Sequence, residues 1–109
     1  MPTNYKVLGQ SNPAATTATT LYTVPSATQA VVSTIVVANL TATAATFRIA
    51  VRVAGATLAN SQYVAYDITV GASDSTTITL GLTLGAADVI TVYASIANLT
   101  FSAFGSEIS

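Results

Sequence analysis

From Phe47 to Val53 every odd position is large and apolar, while Arg48, Ala50 and Arg52 take the even positions. A period of two is what a strand with one buried side requires, because successive side chains leave on opposite faces. The same alternation runs through Val64, Tyr66, Ile68 and Val70, through Ile78, Leu80 and Leu82, and through Ile90, Val92, Ala94 and Ile96. Each set marks one expected buried face. Turn-forming residues separate the runs: Val24-Pro25-Ser26, Asn39-Leu40-Thr41, Ala54-Gly55, Asn60-Ser61, Gly71 to Asp74, Gly85 to Asp88, and Ala97-Asn98. The predicted strands are 19–24, 30–38, 45–54, 62–70, 75–82, 88–96 and 99–105. About seven short strands with tight turns, and no helical segment long enough for parallel crossovers, predict an all-β fold, an antiparallel β-sandwich of jelly-roll or Ig-like type.

One run breaks the alternation. Val31, Ile35 and Val37 read as one face of strand 30–38 and Val32, Val36 and Ala38 as the other, so both sides call for cover. A central strand overlaid by a loop or arm would satisfy this, and so would a subunit contact. Residues 1–18 are rich in Thr and Ala after Tyr5-Lys6-Val7-Leu8 and carry Asn12-Pro13, a pattern that predicts an N-terminal arm preceding a sandwich domain over 19–109. Strands 45–54 and 62–70 are consecutive and predict an antiparallel hairpin. A register placing Val51 opposite Val64 and Ile49 opposite Tyr66 sets Arg48 against Asp67 and Arg52 against Tyr63 on the outer side.

Composition changes the picture of the surface. Only 6% of the 109 residues are charged, against roughly 25% in ordinary soluble domains, while 51% are apolar and mean hydropathy is +0.63. The longest apolar stretch, Ala30 to Leu40, is interrupted by Ser33, Thr34 and Asn39 and is shorter than a membrane-spanning helix requires. The aromatic residues form no belt of the kind that outer-membrane barrels carry, so no membrane contact is expected. The opening Met-Pro-Thr-Asn-Tyr-Lys lacks the pattern of an export signal, which implies synthesis in a cytoplasm. A net charge of −1 with scattered Lys and Arg offers no footprint for direct nucleic-acid binding.

Histidine and cysteine are both absent, which removes Ser-His-Asp and Cys-His catalysis and imidazole or thiolate metal sites. Asp67, Asp74, Asp88 and Glu107 are the acidic residues, and nothing in their spacing pairs two of them across a substrate. Asp74 and Asp88 stand where a turn resumes a strand, the usual place for an Asp that bonds its own backbone. No calcium-loop pattern and no glycine-rich phosphate loop occur. The sequons Asn39-Leu40-Thr41 and Asn98-Leu99-Thr100 read as chance in a Thr-rich chain. No enzyme activity and no cofactor are expected.

Leu21-Tyr22-Thr23-Val24-Pro25-Ser26 and the run Ala30 to Asn39 resemble small virion proteins of tailed phages, including phages of cyanobacteria. Ala45 to Arg52, Tyr63-Val64-Ala65-Tyr66-Asp67 and Phe101 to Glu107 resemble the same group, so the likeness spans roughly residues 20 to 107. It implies a structural role on the virion, as a capsid decoration (cement) protein or a small tail, baseplate or fibre component. The implied partners are copies of the chain itself, a trimer by preference, and other virion proteins such as the major capsid protein. A sparsely charged Ala/Thr/Ser surface independently suits a protein largely covered in an assembly. The residues expected at such contacts are Tyr5, Lys6, Arg48, Arg52, Tyr63 and Asp67. A carbohydrate-binding module on the host surface is the competing reading, with Tyr63 or Tyr93 as an exposed platform.

Overall fold

The computed structural model describes residues 3–109, and for Leu80 the backbone alone. Eight strands follow one another: β1 Thr3–Ser11, β2 Thr19–Thr23, β3 Gln29–Asn39, β4 Ala45–Arg52, β5 Tyr63–Val70, β6 Ser75–Leu84, β7 Val89–Ala94 and β8 Leu99–Ile108. Two short 3-10 turns, Val53–Gly55 and Asn60–Gln62, lie between β4 and β5. The strands form two four-stranded sheets, ordered β1-β8-β3-β6 and β2-β7-β4-β5, and all their pairings are antiparallel. The chain crosses between sheets at every connection except the β4–β5 hairpin. That winding is a jelly roll, which decides between the two sandwich types the strand pattern allows.

The eighth strand corrects the expectation for the N-terminus. Thr3–Ser11 is an edge strand paired along β8 from Thr3 opposite Ile108 to Ser11 opposite Phe101, and the arm predicted over 1–18 is a strand followed by a connection. The pattern concealed it because an edge strand with Tyr5, Lys6 and Val7 largely in solvent shows little alternation. Gly9 allows its close approach to the other sheet, since a Cβ there would stand 2.2 Å from the Leu21 carbonyl oxygen.

Inward side chains of both sheets make the core. Phe47 on β4 and Phe101 on β8 meet edge to face with ring centroids 6.0 Å apart, both fully buried. Ile35, Val37, Ile49, Ile90, Val92 and Leu99 surround them. The face predicted on β7 is buried as expected, with Ile96 half-buried beside it. Ile78 and Leu82 of β6 are half-buried against the core, and the Leu80 side chain predicted with them lies outside the described residues.

The departures from the predicted faces on β3 and β5 share one cause, the β-bulge. On β3 the register shifts between Val32 and Thr34, with Ser33 the extra residue against β8. The phase flips there, so Val32, Ile35 and Val37 point inward and Val31, Val36 and Ala38 outward, and the strand does lie mid-sheet between β8 and β6. On β5 the register shifts twice between Ile68 and Tyr63, so Ala65 and Val70 are both buried while Val64 and Tyr66 are 42% and 55% exposed; Ile68 keeps the phase of Val70 opposite Phe47 and is 38% exposed on the edge strand. The pairing predicted for β4 and β5 is corrected accordingly: Ile49 faces Ala65 and Ala50 faces Tyr63. Val53, expected at the end of a buried face, sits in the first 3-10 turn and is exposed, because β4 ends at Arg52.

Two of the corners between the sheets repeat one device. Gly71 to Asp74 and Gly85 to Asp88 each close by an amide-to-carbonyl bond, Asp74 N to Gly71 O at 3.3 Å and Asp88 N to Gly85 O at 3.2 Å. The third residue of each is left-handed, Ser73 at φ 52° and Ala87 at φ 68°. The Asp88 carboxylate accepts from the Gly85 and Ala54 amides, and Asp74 from the Ser75 amide, so both acids serve the turns.

Ala87 is exposed and its left-handed backbone strains any residue with a Cβ. Ala87→Gly is therefore expected to raise stability by roughly 0.5 to 1 kcal/mol in urea unfolding, the relief of strain exceeding the entropy cost of glycine. Gly105→Ala is expected to act the other way. Its Cβ would fall 2.0 Å from the Val31 carbonyl oxygen, where β8 runs against the β3 bulge. A loss of about 2 kcal/mol or more is expected in the same measurement, because backbone must move to admit it.

Candidate interaction surfaces

The six residues expected at contacts separate onto two places. Arg48, Arg52, Tyr63 and Asp67 belong to the outer side of the β2-β7-β4-β5 sheet, whereas Tyr5 and Lys6 belong to β1 on the other sheet.

Arg48 stands opposite Tyr93 across the β4–β7 ladder. The first of the β5 bulges sets two residues, Tyr66 and Asp67, against that one position, with Asp67 at φ 52°. The guanidinium lies between two rings, 4.2 Å from the Tyr66 centroid and 4.4 Å from the Tyr93 centroid. Its Nε donates to Asp67 Oδ1 at 2.7 Å and its Nη2 to Oδ2 at 3.4 Å. The hydrogen bond to Asp67 and its negative charge favour the cationic form of Arg48 further. Tyr63 packs edge to face on Tyr66 at 5.0 Å, so three tyrosines and one ion pair make a continuous patch. The expected Arg48–Asp67 pair thus forms through a bulge and without the predicted register.

Arg52 does not meet Tyr63. It folds over the chain that follows, donating from Nε to the Ala56 carbonyl at 2.7 Å and from Nη2 to the Gly55 carbonyl at 2.9 Å. Its Nη1 reaches the Thr91 hydroxyl at 3.3 Å. The left-handed Ala54 and Gly55 turn those carbonyls toward it. Its task here is to hold a loop.

On the other sheet Lys6 joins a group that the linear pattern did not announce. Its Nζ is 2.8 Å from Glu107 Oε1, and the Tyr22 hydroxyl donates to Glu107 Oε2 at 2.5 Å. Glu107 points between the sheets, with its side chain 11% exposed, and Tyr22 comes from β2 of the opposite sheet. One carboxylate therefore ties β1, β8 and β2. The bonds from Lys6 and then Tyr22 hold Glu107 below the ordinary carboxylate value, against the opposing effect of burial. Burial first, and then the bond to Glu107, push the Tyr22 hydroxyl well above its ordinary value. These residues lie 101 positions apart in the chain at the extremes, and only the pairing of the first strand with the last brings them together.

Tyr5, beside Lys6, is 85% exposed and points the other way, to the outer side of its sheet. There the transverse rows can be read directly. Tyr5, Ser106, Val31 and Thr83 form one row, and Val7, Phe104, Thr34 and Thr79 the next. Gln10, Ser102, Val36 and Thr77 follow, then Thr100, Ala38 and Ser75. Among the described residues no charged side chain stands in any of them. A shallow groove of about 620 Å³ opens between β1, β8 and β3, lined by Tyr5, Val7, Val31 and Phe104 among others, with Lys6, paired to Glu107, at its border.

Asn39 of the first sequon is only 3% exposed, and its amide is engaged at both ends, donating to the Thr43 carbonyl at 2.8 Å and accepting from the Thr41 amide at 2.9 Å. It shapes the β3–β4 corner. No protein-family model matches the chain, and no curated protein does.

The lowered Glu107 value sets the sign of a pH dependence. The stabilisation is complete above its ordinary value of 4.5 and is lost as pH falls through the lower folded value. Glu107→Gln is expected to cost about 1 to 2 kcal/mol at neutral pH, a charge-assisted bond being discounted for the half-exposed Lys6. It is also expected to flatten the fall in melting temperature between pH 5 and about pH 3. Thermal unfolding of both proteins across that range checks it, and an unchanged slope would show that Glu107 is not the group responsible.

Proposed function

We propose that the chain is a non-catalytic structural protein of a phage particle, a capsid decoration protein that assembles as an oligomer on the virion. The observation that carries this reading is the uncharged outer face of the β1-β8-β3-β6 sheet, with Tyr5 and Val7 in solvent and Val31 and Phe104 half-covered. A free monomer gains nothing from such a face, whereas an assembly covers it. The likeness of residues 20 to 107 to small phage virion proteins points the same way, and the double-sheet jelly roll is an architecture that capsid proteins use widely, though lectins use it too. The reading takes the oligomer as a trimer, its larger partner as the major capsid protein, and its location as the virion after synthesis in the host cytoplasm. A tail, baseplate or fibre position uses the same surface chemistry.

The acidic side chains fit a role without catalysis. Asp67 is paired with Arg48, Glu107 with Lys6 and Tyr22, and Asp74 and Asp88 close turns. Each has a structural occupation.

One observation favours a second reading. Tyr63, Tyr66 and Tyr93 gather on the opposite sheet around Arg48, with Tyr66 55% exposed, and an exposed tyrosine patch beside a carboxylate can stack on and bond a sugar. This would be a carbohydrate-binding module for the host surface.

Purified protein is expected to bind undecorated phage capsids saturably, at a fixed number of copies per capsomer, with electron microscopy placing it on the outer shell. Binding to host cells or isolated glycans, lost in Tyr66→Ala while capsids bind none, would replace the decoration reading with the carbohydrate one.

A further inference from the structure

We infer that the uncharged outer face of the β1-β8-β3-β6 sheet is the contact between copies of this chain. The inference rests on the assembly reading only in taking the protein to self-associate, and it goes further in naming the surface, where a face matched to itself joins copies two by two rather than as the trimer of that reading.

Charge decides the occupant. A charged side chain pressed onto this face would lose its water and find no free opposite charge, since none stands in its four rows among the described residues and Lys6, which borders the groove, is already paired with Glu107. The surface that covers it must itself be uncharged. The other broad face of the molecule carries Arg48, Asp67 and Arg52, and Asp74 and Asp88 lie in turns that join the two sheets, so within this chain the matching surface is the same face of another copy. Its hydroxyl rows of Thr and Ser can bond across such a contact without any charge being desolvated.

Size and relief agree. Nine residues per strand at about 3.4 Å each, over four strands about 4.8 Å apart, give a face of roughly 600 Å². Two copies covering it fully would bury about 1,200 Å², the lower limit for a stable interface. Tyr5 stands 85% exposed at the edge of the groove lined by Val7, Val31 and Phe104, so each copy offers both a projecting ring and a recess to receive one. Burying aromatic rings in this way is how protein contacts concentrate their energy.

The test is the oligomeric state of the full chain by analytical ultracentrifugation. The wild type is expected to be oligomeric at micromolar concentration, and Phe104→Lys to weaken association at least tenfold, while Tyr66→Lys on the opposite sheet leaves it unchanged. Circular dichroism verifies the fold of each variant. Tyr5→Lys guards against a misfolded Phe104→Lys, because a side chain 85% exposed is not needed for folding, and it is expected to weaken association as well. A monomeric wild type, or an oligomer that Tyr5→Lys and folded Phe104→Lys leave intact, overturns the inference. Capsid binding is measured separately: an oligomer that dissociates in these variants yet never binds capsids sinks the virion reading and leaves this contact standing.

Discussion

Phe47 and Phe101 clasp the two sheets, and the rest of the molecule depends on that closure. With no cysteine to cross-link and few charges to pair, apolar area removed from water is the term that holds the sandwich shut. The two rings come from strands in opposite sheets, edge to face, and large side chains such as Ile35, Ile49 and Leu99 fill the space around them. Small ones, Ala94 and Ala103 among them, complete the same cluster, so the layers can interdigitate. A chain so rich in Ala, Thr, Ser and Val can build this because a strand commits only alternate residues to the core.

The bulges decide which residues those are. Each inserts a residue without breaking the strand, and everything beyond it changes sides. On β3 the extra Ser33 lets Val32 and Ile35 share the core, and it leaves Val31 outside to line the groove. Gly105 on β8 is the necessary counterpart, because the bulged backbone at Val31 leaves no room for a Cβ. On the edge strand β5 the bulges turn Tyr66 and Asp67 onto Arg48. An irregular edge is also a poor template for unwanted strand pairing.

Charge is then used sparingly and locally. The Glu107 carboxylate receives Lys6 and Tyr22 and pins the first strand to the last and to the opposite sheet. Arg52 holds the loop after β4, and Asp74 and Asp88 close turns between the sheets. With the described charges placed at edges, turns and one sheet, the other broad face is left to hydroxyl, methyl and aromatic groups. The neutral face and the internal ion pairs both follow from this one division.

The all-β class, the β7 core face and the order of most turns were legible in the sequence, since alternation and turn chemistry are local properties that neighbouring residues display. The Arg48–Asp67 partnership was legible too, because the hairpin that joins their strands is the default connection. What the sequence could not determine was the phase of each face after a bulge: Val31 changed sides and Tyr66 went outward, as the extra residue is chosen by how the strand fits its neighbours. Tyr93 was visible as an outward residue of its strand, but its place on Arg48 required knowing that β4 pairs with β7 as well as β5. The strand nature of Thr3–Ser11 and the Lys6–Glu107–Tyr22 tie had no local signal at all. They arise only when the closing of the jelly roll brings the two ends of the chain side by side, and contacts between such distant residues leave no period in the sequence to read.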